Sequence, residues 1–345
     1  MQVRIESTGN MKLRIGVVGL GDDWEQRHRP ALRALADRFE VKAICAEVSL
    51  LAQQAARDFN ATAVGGYRVL AAREDIDAVF MLSPGWYGAL PILSACELGK
   101  SVYCAATFDI QPADADEVRR RVDKAGVAFM AEFPRRLAPA TLRLKELIAT
   151  RLGEPRLLFC HSRLDKKQKQ AVDECYRQPS STREMMALID WCNYVIGRRP
   201  ASLLGIEHIS AECPTENDYQ MLSLDYSQPG ATGNGPIAQI SCGSYMVPSW
   251  HEARAFRPPA DLQVCCEKGM AFVDLPTGLT WFDEAGRHRE SLDSERPVGE
   301  QLLTQFYRAV TSLVRKTTDL DDVYRALSIV QLSKTSFLEG RRIDL

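Results

Sequence analysis

The strongest constraint on the fold is a regular alternation of short apolar runs with amphipathic stretches over the first 135 residues. Leu13–Leu20 (LRIGVVGL) is rich in β-branched residues, and the next segment, RPALRALADRF, has apolar residues at helical spacing. The pair of patterns recurs in VKAICAE/VSLLAQQAARDF, AVGGY/VLAAREDI, DAVFMLSP/ALPILSACELGK and SVYCAA/ADADEVRRRVDKAG, and a sixth strand, VAFMAEF, follows. This alternation predicts a parallel sheet covered on both faces, the doubly wound Rossmann type of α/β fold that binds nucleotides.

After Pro139 the pattern changes from alternation to a series of strands. One helix ends at Gly153, and seven strand-like runs follow, separated by turn signals such as QPGATGNGP. A helical insert, STREMMALIDWCNYVIG, and a helical stretch from Gly299 to Gly340 complete this part. The sequence therefore predicts a nucleotide-binding domain at 11–135 and an α/β domain with a mostly antiparallel open sheet at 136–345. Whether the C-terminal helix packs back on the first domain is left open.

Charge and composition exclude several classes of function. Lys and Arg number 43 against 45 Asp and Glu, so the net charge of -2 supplies no basic field for nucleic acid or for a membrane surface. No apolar run approaches the roughly 20 residues of a membrane span, and we expect a cytoplasmic protein. The ten cysteines form no CxxC pattern, which favours reduced, packed thiols and no metal site. Residues 1–10 are expected to be either a disordered leader or an extension before a true start at Met11.

The loop after the first strand resembles a dinucleotide fingerprint in part. In GLGDDW, Gly19 permits a tight turn and Gly21 lets the backbone approach a pyrophosphate, but Trp24 replaces the third glycine and must reshape the turn. Asp22 and Asp23 are predicted to cap the helix start. There they would compete with a phosphate, at a cost of about 3 kcal/mol each at about 5 Å and an effective dielectric constant near 20.

The second part of the fingerprint is displaced by one residue. An acidic residue at the end of the second strand would hold the ribose hydroxyls, but Glu47 comes one position late and points to the opposite side unless the strand has already ended. NAD or NADP binding is therefore one interpretation of this loop, and an empty inherited turn is the other. The expected cofactor-binding residues are Gly19, Gly21, Asp22, Asp23, Trp24, Glu47, Ser83, Pro84 and Trp86.

An ordered series of motifs resembles one known family. IGVVGLG…RHRPAL, DIDAVFMLSP, LGKSVYC, EFPRRLAPA, LGEPR, EKGMAFVD and SFLEGRRI follow the order and spacing of the blocks of the Gfo/Idh/MocA sugar and polyol oxidoreductases, and the likeness covers nearly all of the chain from Leu13 onward. The resemblance implies a Rossmann domain followed by a domain with an open, mostly antiparallel sheet. It also implies a nicotinamide cofactor, a sugar-like ligand, and homo-oligomers that pair through that open sheet.

The residues that the family uses for proton transfer are missing. The family's Glu-Lys-Pro triplet falls on positions 105–107, where Ala106 replaces the lysine. Its Asp-x-x-x-His motif, aligned on Asp190, puts Arg183 at the aspartate and Ala187 at the histidine. Alanine has no proton to exchange, and a general base contributes about 10²- to 10⁴-fold to such a reaction. The resemblance thus implies the fold of an oxidoreductase without its usual catalytic residues.

Three hypotheses for the function follow. The first is a protein that binds a nicotinamide nucleotide and a sugar-like ligand without the usual chemistry. The second is an active NAD(P)-dependent oxidoreductase whose acid/base has moved to His161, oriented by Asp165, although a strand-end histidine before a solvated charge run is an alternative interpretation. The third is a non-catalytic oligomeric scaffold. Arg135, Arg136 and His161 are the expected substrate-binding residues, and ion pairs with Glu132 are the alternative role for the two arginines.

Overall fold

The computed structural model describes residues 12–84, 87–105, 107–165, 179–209, 217–228, 231, 233–246, 260–312 and 318–345. The chain divides into two compact units. Unit 1 comprises the described residues up to Glu132 together with those of Gly299–Leu320, and unit 2 comprises those from Phe133 to Val298 together with Asp321–Leu345. The domain limits 11–135 and 136–345 remain predictions.

The helices of the described residues connect and cover two sheets. They are α1 (Arg29–Ala34), α2 (Ser49–Asp58), α3 (Tyr67–Ala71), α4 (Leu90–Glu97), α5 (Pro112–Ala125), α6 (Pro139–Leu147), α7 (Ser180–Ile196), α8 (Val298–Thr311) and α9 (Thr318–Glu339). Two π-helical segments occur, at Trp24–His28 before α1 and at Ile148–Leu152 after α6. Within the described ranges, no helix is both long and apolar enough to cross a membrane.

Unit 1 contains the predicted parallel sheet. Its strands are β1 (Leu13–Val18), β2 (Phe39–Cys45), β3 (Thr62–Ala63), β4 (Ala78–Met81), β5 (Ser101–Cys104) and β6 (Phe129–Ala131). They pair in the order β3-β2-β1-β4-β5-β6, and every neighbouring pair is parallel. The central strands are buried on both faces, which explains their continuous apolar sequences. Phe306 of α8 packs edge-on against Phe80 and Tyr103 in this core.

Unit 2 is built on a mixed sheet of nine strands. They are β7 (Pro155–Asp165), β8 (Ser202–Ile209), β9 (Asn217–Asp225), β10 (Ile237–Met246), β11 (Leu262–Cys266), β12 (Met270–Asp274), β13 (Gly278–Asp283), β14 (Gly286–Ser291) and β15 (Ile343–Asp344). The order is β14-β13-β12-β11-β7-β10-β9-β8-β15. The pair β7–β10 is parallel and the other pairs are antiparallel, as predicted for this part of the chain.

The two faces of this sheet have different environments. Leu158 and Cys160 of β7 are buried on the face that α7 covers, and the Sγ atoms of Cys160 and Cys192 of α7 are 3.5 Å apart. Leu157 and Phe159, which alternate with them, are 39% and 38% exposed. Because side chains alternate along a strand, Leu157 and Phe159 lie on the face of the sheet opposite α7. This face is called the open face.

Candidate functional site

The sheet order of unit 1 reverses between β1 and β4, the position at which doubly wound sheets bind ligands. Gly19 and Gly21 follow β1 with φ angles of 75° and 37°, in the left-handed region that favours glycine. A Cβ atom on Gly21 would lie 2.5 Å from the carbonyl oxygen of Leu82, and one on Gly19 would lie 2.8 Å from Cβ of Ser83. The loops after β1 and β4 are therefore packed together, and only glycine fits at both positions.

Trp24, at the place of the third glycine, points into the protein. Its side chain is buried, and its ring centroid lies 6.0 Å from that of Phe59. The first helix begins here as the π-helical segment, in which the N–H of His28 donates to the carbonyl of Asp23 over 3.1 Å. Single π-turns are rare and occur frequently at functional sites. The indole thus changes the start of the helix rather than filling the space outside the glycine loop.

The prediction that the Asp23 side chain caps the first helix is wrong. Asp23 occupies the N-cap position, but its side chain accepts no capping hydrogen bond from the helix. It forms an ion pair with the guanidinium of Arg27, and Asp22 is exposed beside it. Because Arg27 partly neutralises Asp23, the repulsion between this loop and a bound phosphate is weaker than two unpaired carboxylates would produce.

Glu47 lies beyond the end of its strand. Since β2 ends at Cys45, the alternation rule no longer sets the direction of Glu47, and its side chain is exposed. The phenol of Tyr87 lies 3.9 Å from the Cys45 sulfur, and its ring packs edge-on against Tyr67. Burial, followed by the neighbouring Cys45, raises the pKa of Tyr87 to about 12. A carboxylate and a neutral phenol thus stand near the end of β2.

The remaining predicted cofactor residues follow β4 and β5. Ser83 is half-buried, and Pro84 is buried with its carbonyl accepting hydrogen bonds from the N–H groups of Tyr87 and Gly88 over 3.0 and 3.1 Å. Trp86 and Ala106, the position of the family's lysine, lie outside the described residues.

A buried polar network at the carboxyl ends of β5 and β6 was missed from the sequence. Oε2 of Glu132 accepts a hydrogen bond from the Tyr103 hydroxyl over 2.7 Å and lies 2.8 Å from Nε2 of His28, while Arg27 lies 2.7 Å from Oε1. The backbone N–H of Glu132 donates to the Thr107 hydroxyl over 3.1 Å. Burial alone would raise the pKa of Glu132, but His28 and Arg27 outweigh it and the pKa is lowered. The sequence feature that could have indicated this network is Glu132 itself, an acidic residue directly after the buried strand β6.

In unit 2, the two predicted substrate arginines are held by carboxylates. Arg135 lies 2.6 Å from Oε1 of Glu184. Arg136 forms a two-pronged ion pair with Asp190 and lies 2.8 Å from Oδ2 of Asp322. Ion pairing was therefore expected correctly, but the predicted partner, Glu132, is wrong. The partners lie 49 to 186 residues away in the sequence, and local patterns carry no information on such pairs.

The Arg135–Glu184 pair has one unsatisfied donor. Burial alone would raise the pKa of Glu184, but Arg135 and the Ser162 hydroxyl outweigh it, so that the pKa is lowered and the carboxylate stays charged. Within the described part of the chain, Nη1 of Arg135 is buried and has no hydrogen-bond partner. A buried unsatisfied donor is costly, and a polar ligand that accepts a hydrogen bond from it would remove that cost.

Two residues of α7 stand at the positions that the sequence resemblance assigns to the acid/base pair. Arg183 and Ala187 lie one turn apart on this helix, and both are half-buried. A guanidinium keeps its proton at any physiological pH, and alanine has none to give. The retained Asp190 is buried and bound to Arg136.

The structure corrects the expected position of His161, while its role as a relocated base stays a prediction. His161 lies within β7 rather than at its end, and it alternates with Cys160 of the α7 face, so it belongs to the open face. Its Nδ1 is 2.8 Å from the Ser241 hydroxyl and its Nε2 is 3.1 Å from the Tyr245 hydroxyl. Both ring nitrogens therefore lie within hydrogen-bond distance of hydroxyl groups, and the ring faces away from α7.

Other residues of this hypothesis cannot be placed. The side chain of Asp165 and the charge run that follows, with Lys166 and Lys167, lie outside the described residues. Burial, followed by the positive charge of Arg163, lowers the pKa of His161, which keeps the ring neutral near pH 7.

Comparison with known proteins agrees with this architecture. Residues 13–133 match the model of the Gfo/Idh/MocA oxidoreductase family with its NAD-binding Rossmann fold. An inositol 2-dehydrogenase/D-chiro-inositol 3-dehydrogenase of Shouchella clausii is 31% identical over 175 residues, 47% of this chain and 48% of that protein. A D-xylose 1-dehydrogenase (NADP(+)) of Haloferax volcanii is 28% identical over 142 residues, 41% of this chain and 43% of that protein.

Solved structures extend the likeness to both units. The aldose-aldose oxidoreductase of Caulobacter crescentus, complexed with glycerol, superposes with a TM-score of 0.79 at 16% identity, covering 97% of this chain and 100% of that one. The UDP-N-acetylglucosamine 3-dehydrogenase of Acidithiobacillus ferrooxidans gives a TM-score of 0.72 at 17% identity, covering 95% and 99%. At such identities the likeness shows the fold. The matches to curated relatives span only 25% to 48% of their lengths.

Proposed function

We propose that this chain, whose residues 13–133 match the model of the Gfo/Idh/MocA oxidoreductase family, binds a nicotinamide dinucleotide and a sugar-like ligand without the family's usual proton transfer. The observation that carries the proposal is the composition of the α7 face. Where the family has an aspartate and a histidine, this chain has Arg183 and Ala187, and the retained Asp190 is bound to Arg136. The protein then acts as a binding or sensing protein.

The loop geometry fits a dinucleotide. Gly19 and Gly21 pack closely against the loop after β4, so the loop after β1 presents backbone rather than side chains at these two positions. Backbone amides at this point of a doubly wound sheet are suited to binding a pyrophosphate. Glu47 would accept hydrogen bonds from ribose hydroxyls and would repel the extra phosphate of NADP, so we propose NAD as the preferred form. A bound nicotinamide supplies hydride transfer in this family.

A sugar-like ligand is proposed at Arg135. Among the described residues, the buried Nη1 of Arg135 has no hydrogen-bond partner, so its N–H groups can donate to a ligand. The ion pair with Glu184 fixes the position of the guanidinium. The relatives named for inositol and xylose dehydrogenation support a polyhydroxylated ligand for this chain. The neighbouring arginines can bind and orient hydroxyls but cannot remove a proton from them.

Two measurements on the same protein test this proposal. Saturation-transfer NMR with a panel of monosaccharides and cyclitols, with NAD present, identifies binders, and each binder is then followed at the absorbance of NADH. We expect binding without reduction of NAD. Arg135→Gln should weaken binding about tenfold or more by removing a charged donor. Arg156→Gln is the matched control, because Arg156 is 65% exposed. NAD reduction by the wild type would overturn the proposal.

The open face is the proposed pairing surface for a second copy. Leu204, Ile206 and Ile209 of β8 are 43% to 45% exposed, and exposed apolar patches mark interaction sites. Light scattering after size exclusion should give the mass of an oligomer, and Ile206→Glu should reduce it to that of a monomer. Val69→Glu, which alters an exposed apolar side chain of α3, should leave the mass unchanged. A monomeric wild type would contradict this proposal.

A further inference from the structure

Arg135 and Arg136 are neighbours in the chain, but their guanidinium groups are paired differently. Arg136 binds two carboxylates, because it forms one ion pair with Asp190 and a second with Asp322, whose Oδ2 lies 2.8 Å away. Arg135 places one nitrogen, Nη2, at 2.6 and 2.8 Å from the two oxygens of Glu184. In the part of the chain that the structure describes, its buried Nη1 has no hydrogen-bond partner. One nitrogen of the Arg135 guanidinium is therefore available to a ligand.

The carboxylate of Glu184 is influenced by two positive charges. Burial acts to raise the pKa of Glu184, while Arg135, the Ser162 hydroxyl and the charge of Arg183 lower it, and the pKa is lowered overall. A second guanidinium therefore acts on the pair that Arg135 forms with Glu184. Its positive charge reduces the repulsion between Glu184 and a further anion that binds Nη1.

The residues that neighbour Glu184 on its face of α7 do not repel an anion. Ser180 precedes Glu184 by four residues and Ala187 follows it by three, so both lie one turn away on the same face of the helix. The first turn of α7 contains no acidic residue. A hydroxyl group and a methyl group therefore flank the carboxylate along this face.

The chemistry of Nη1 selects the group that a ligand presents to it. An arginine nitrogen only donates hydrogen bonds and keeps its positive charge, so it binds a carboxylate more strongly than it binds a neutral hydroxyl. The contacts of Arg136 show that one guanidinium of this cluster holds two carboxylates. A phosphate dianion would bring about twice the charge close to Glu184, so a single carboxylate suits the site better.

We infer that the sugar-like ligand of this site is a sugar acid, a monosaccharide whose carboxylate accepts hydrogen bonds from Nη1 of Arg135. The inference rests on the proposed function, from which it takes a ligand at Arg135, and it adds the charge of that ligand. Glu184 is then a positioning residue that holds Nη2, and the ligand binds Nη1 of the same guanidinium.

Glucose and glucuronate are matched probes for this inference, because they differ only in the oxidation of C6 to a carboxylate. Galactose and galacturonate repeat the comparison with another stereochemistry. Calorimetric titration of the full-length protein, with NAD present, measures the affinity for each of the four sugars. We expect the acid of a pair to bind about tenfold or more tightly than the neutral sugar, because a hydrogen bond to a charged group is stronger than one to a hydroxyl.

Variants at Arg135 test whether this residue is the origin of the preference. Arg135→Gln should abolish the preference for the acid, and Arg135→Lys, which keeps the positive charge, should retain part of it. Because Arg135→Gln leaves Glu184 without this partner, the double variant Arg135→Gln/Glu184→Gln removes both charges of the ion pair together and should also bind the two sugars of a pair equally. Arg156→Gln is the matched control and should keep the preference, since Arg156 is 65% exposed.

The possible outcomes separate this inference from the proposed function. Equal binding of acid and neutral sugar by the wild type overturns the inference and leaves the proposed function in place. Absence of binding by all four sugars counts against both. A preference for the acid that persists in the double variant also overturns the inference, because another group must then bind the carboxylate.

Discussion

At the scale of single residues, the carboxylate of Glu132 contacts side chains from two other segments of unit 1. Tyr103 comes from β5, and Arg27 and His28 come from the π-helical segment that follows the glycine loop. The carboxylate is almost completely buried, so its charge is stable there only because these partners compensate for the lost hydration. The start of the first helix, and with it the loop that carries Gly21, is thereby fixed to the carboxyl end of the sheet.

The variant Glu132→Gln should lower the free energy of unfolding by about 3 kcal/mol, because it removes the buried charge that Tyr103, His28 and Arg27 share and leaves Arg27 with only the exposed Asp23 as its counter-charge. Chemical denaturation measures this. Glu25→Gln is the matched control, since Glu25 is 65% exposed and pairs with Arg29 on the surface, where the loss is expected to stay below about 1 kcal/mol. If Glu132→Gln and Glu25→Gln lost the same free energy of unfolding, the fold would not depend on the buried charge of Glu132.

The same variant should change the response to acid. The pKa of Glu132 in the folded protein is lowered from its ordinary value of 4.5. The carboxylate therefore stabilises the fold fully above about pH 4.5, and this stabilisation is lost as the pH falls through the lowered pKa. Wild type should lose stability over that window more steeply than Glu132→Gln.

At the scale of elements, prediction from the sequence worked where burial imposes a pattern. Apart from the exposed two-residue β3, the strands of unit 1 are largely buried runs separated by helices, and all six were predicted. Two strands of unit 2 were not. β14 is an edge strand with the sequence GRHRES, whose side chains are largely exposed, and β15 has two residues. Neither carries an apolar alternation, because each is specified by pairing with a neighbour rather than by its own burial.

The face of His161 was also beyond prediction. The run RLLFCHSRL is apolar at four consecutive positions, Leu157 to Cys160. The odd-numbered and the even-numbered side chains of the strand therefore look equally suited to face the core. Which of the two sets is buried depends on where α7 packs against the sheet, and the sequence of the strand does not specify that tertiary contact. The sequence therefore could not place His161 on one face of the sheet.

The glycine loop gives a prediction at the element scale. Gly21→Ala combines an unfavourable φ of 37° with a Cβ placed 2.5 Å from the Leu82 carbonyl oxygen. We expect a loss of more than about 1 kcal/mol in the free energy of unfolding and weaker nucleotide binding. Gly65→Ala is the control, because a Cβ there meets nothing within 4 Å. A Gly21→Ala protein as stable as the control would show that the loop is not constrained as described.

At the scale of the whole molecule, the protein has a parallel sheet with a glycine loop and a second, mixed sheet, the fold of the solved oxidoreductases that it resembles, and we propose that it lacks the proton transfer usual in the Gfo/Idh/MocA family. Sequence motifs were sufficient for the family and the fold. The partners of Arg135 and Arg136 were not predictable, because they come from residues far apart in the chain. The proposed function therefore depends on contacts that only the folded structure supplies, together with losses that the sequence already displays.

The most direct test of this account is titration of the purified protein with NADH and with NADPH, followed by fluorescence of the reduced nicotinamide. The account predicts saturable binding of NADH at micromolar to submillimolar concentration and weaker binding of NADPH, because Glu47 disfavours the added phosphate. Glu47→Gln should reduce that difference. Failure of both nucleotides to bind at millimolar concentration would contradict the central claim and leave a protein that has kept the fold without its cofactor.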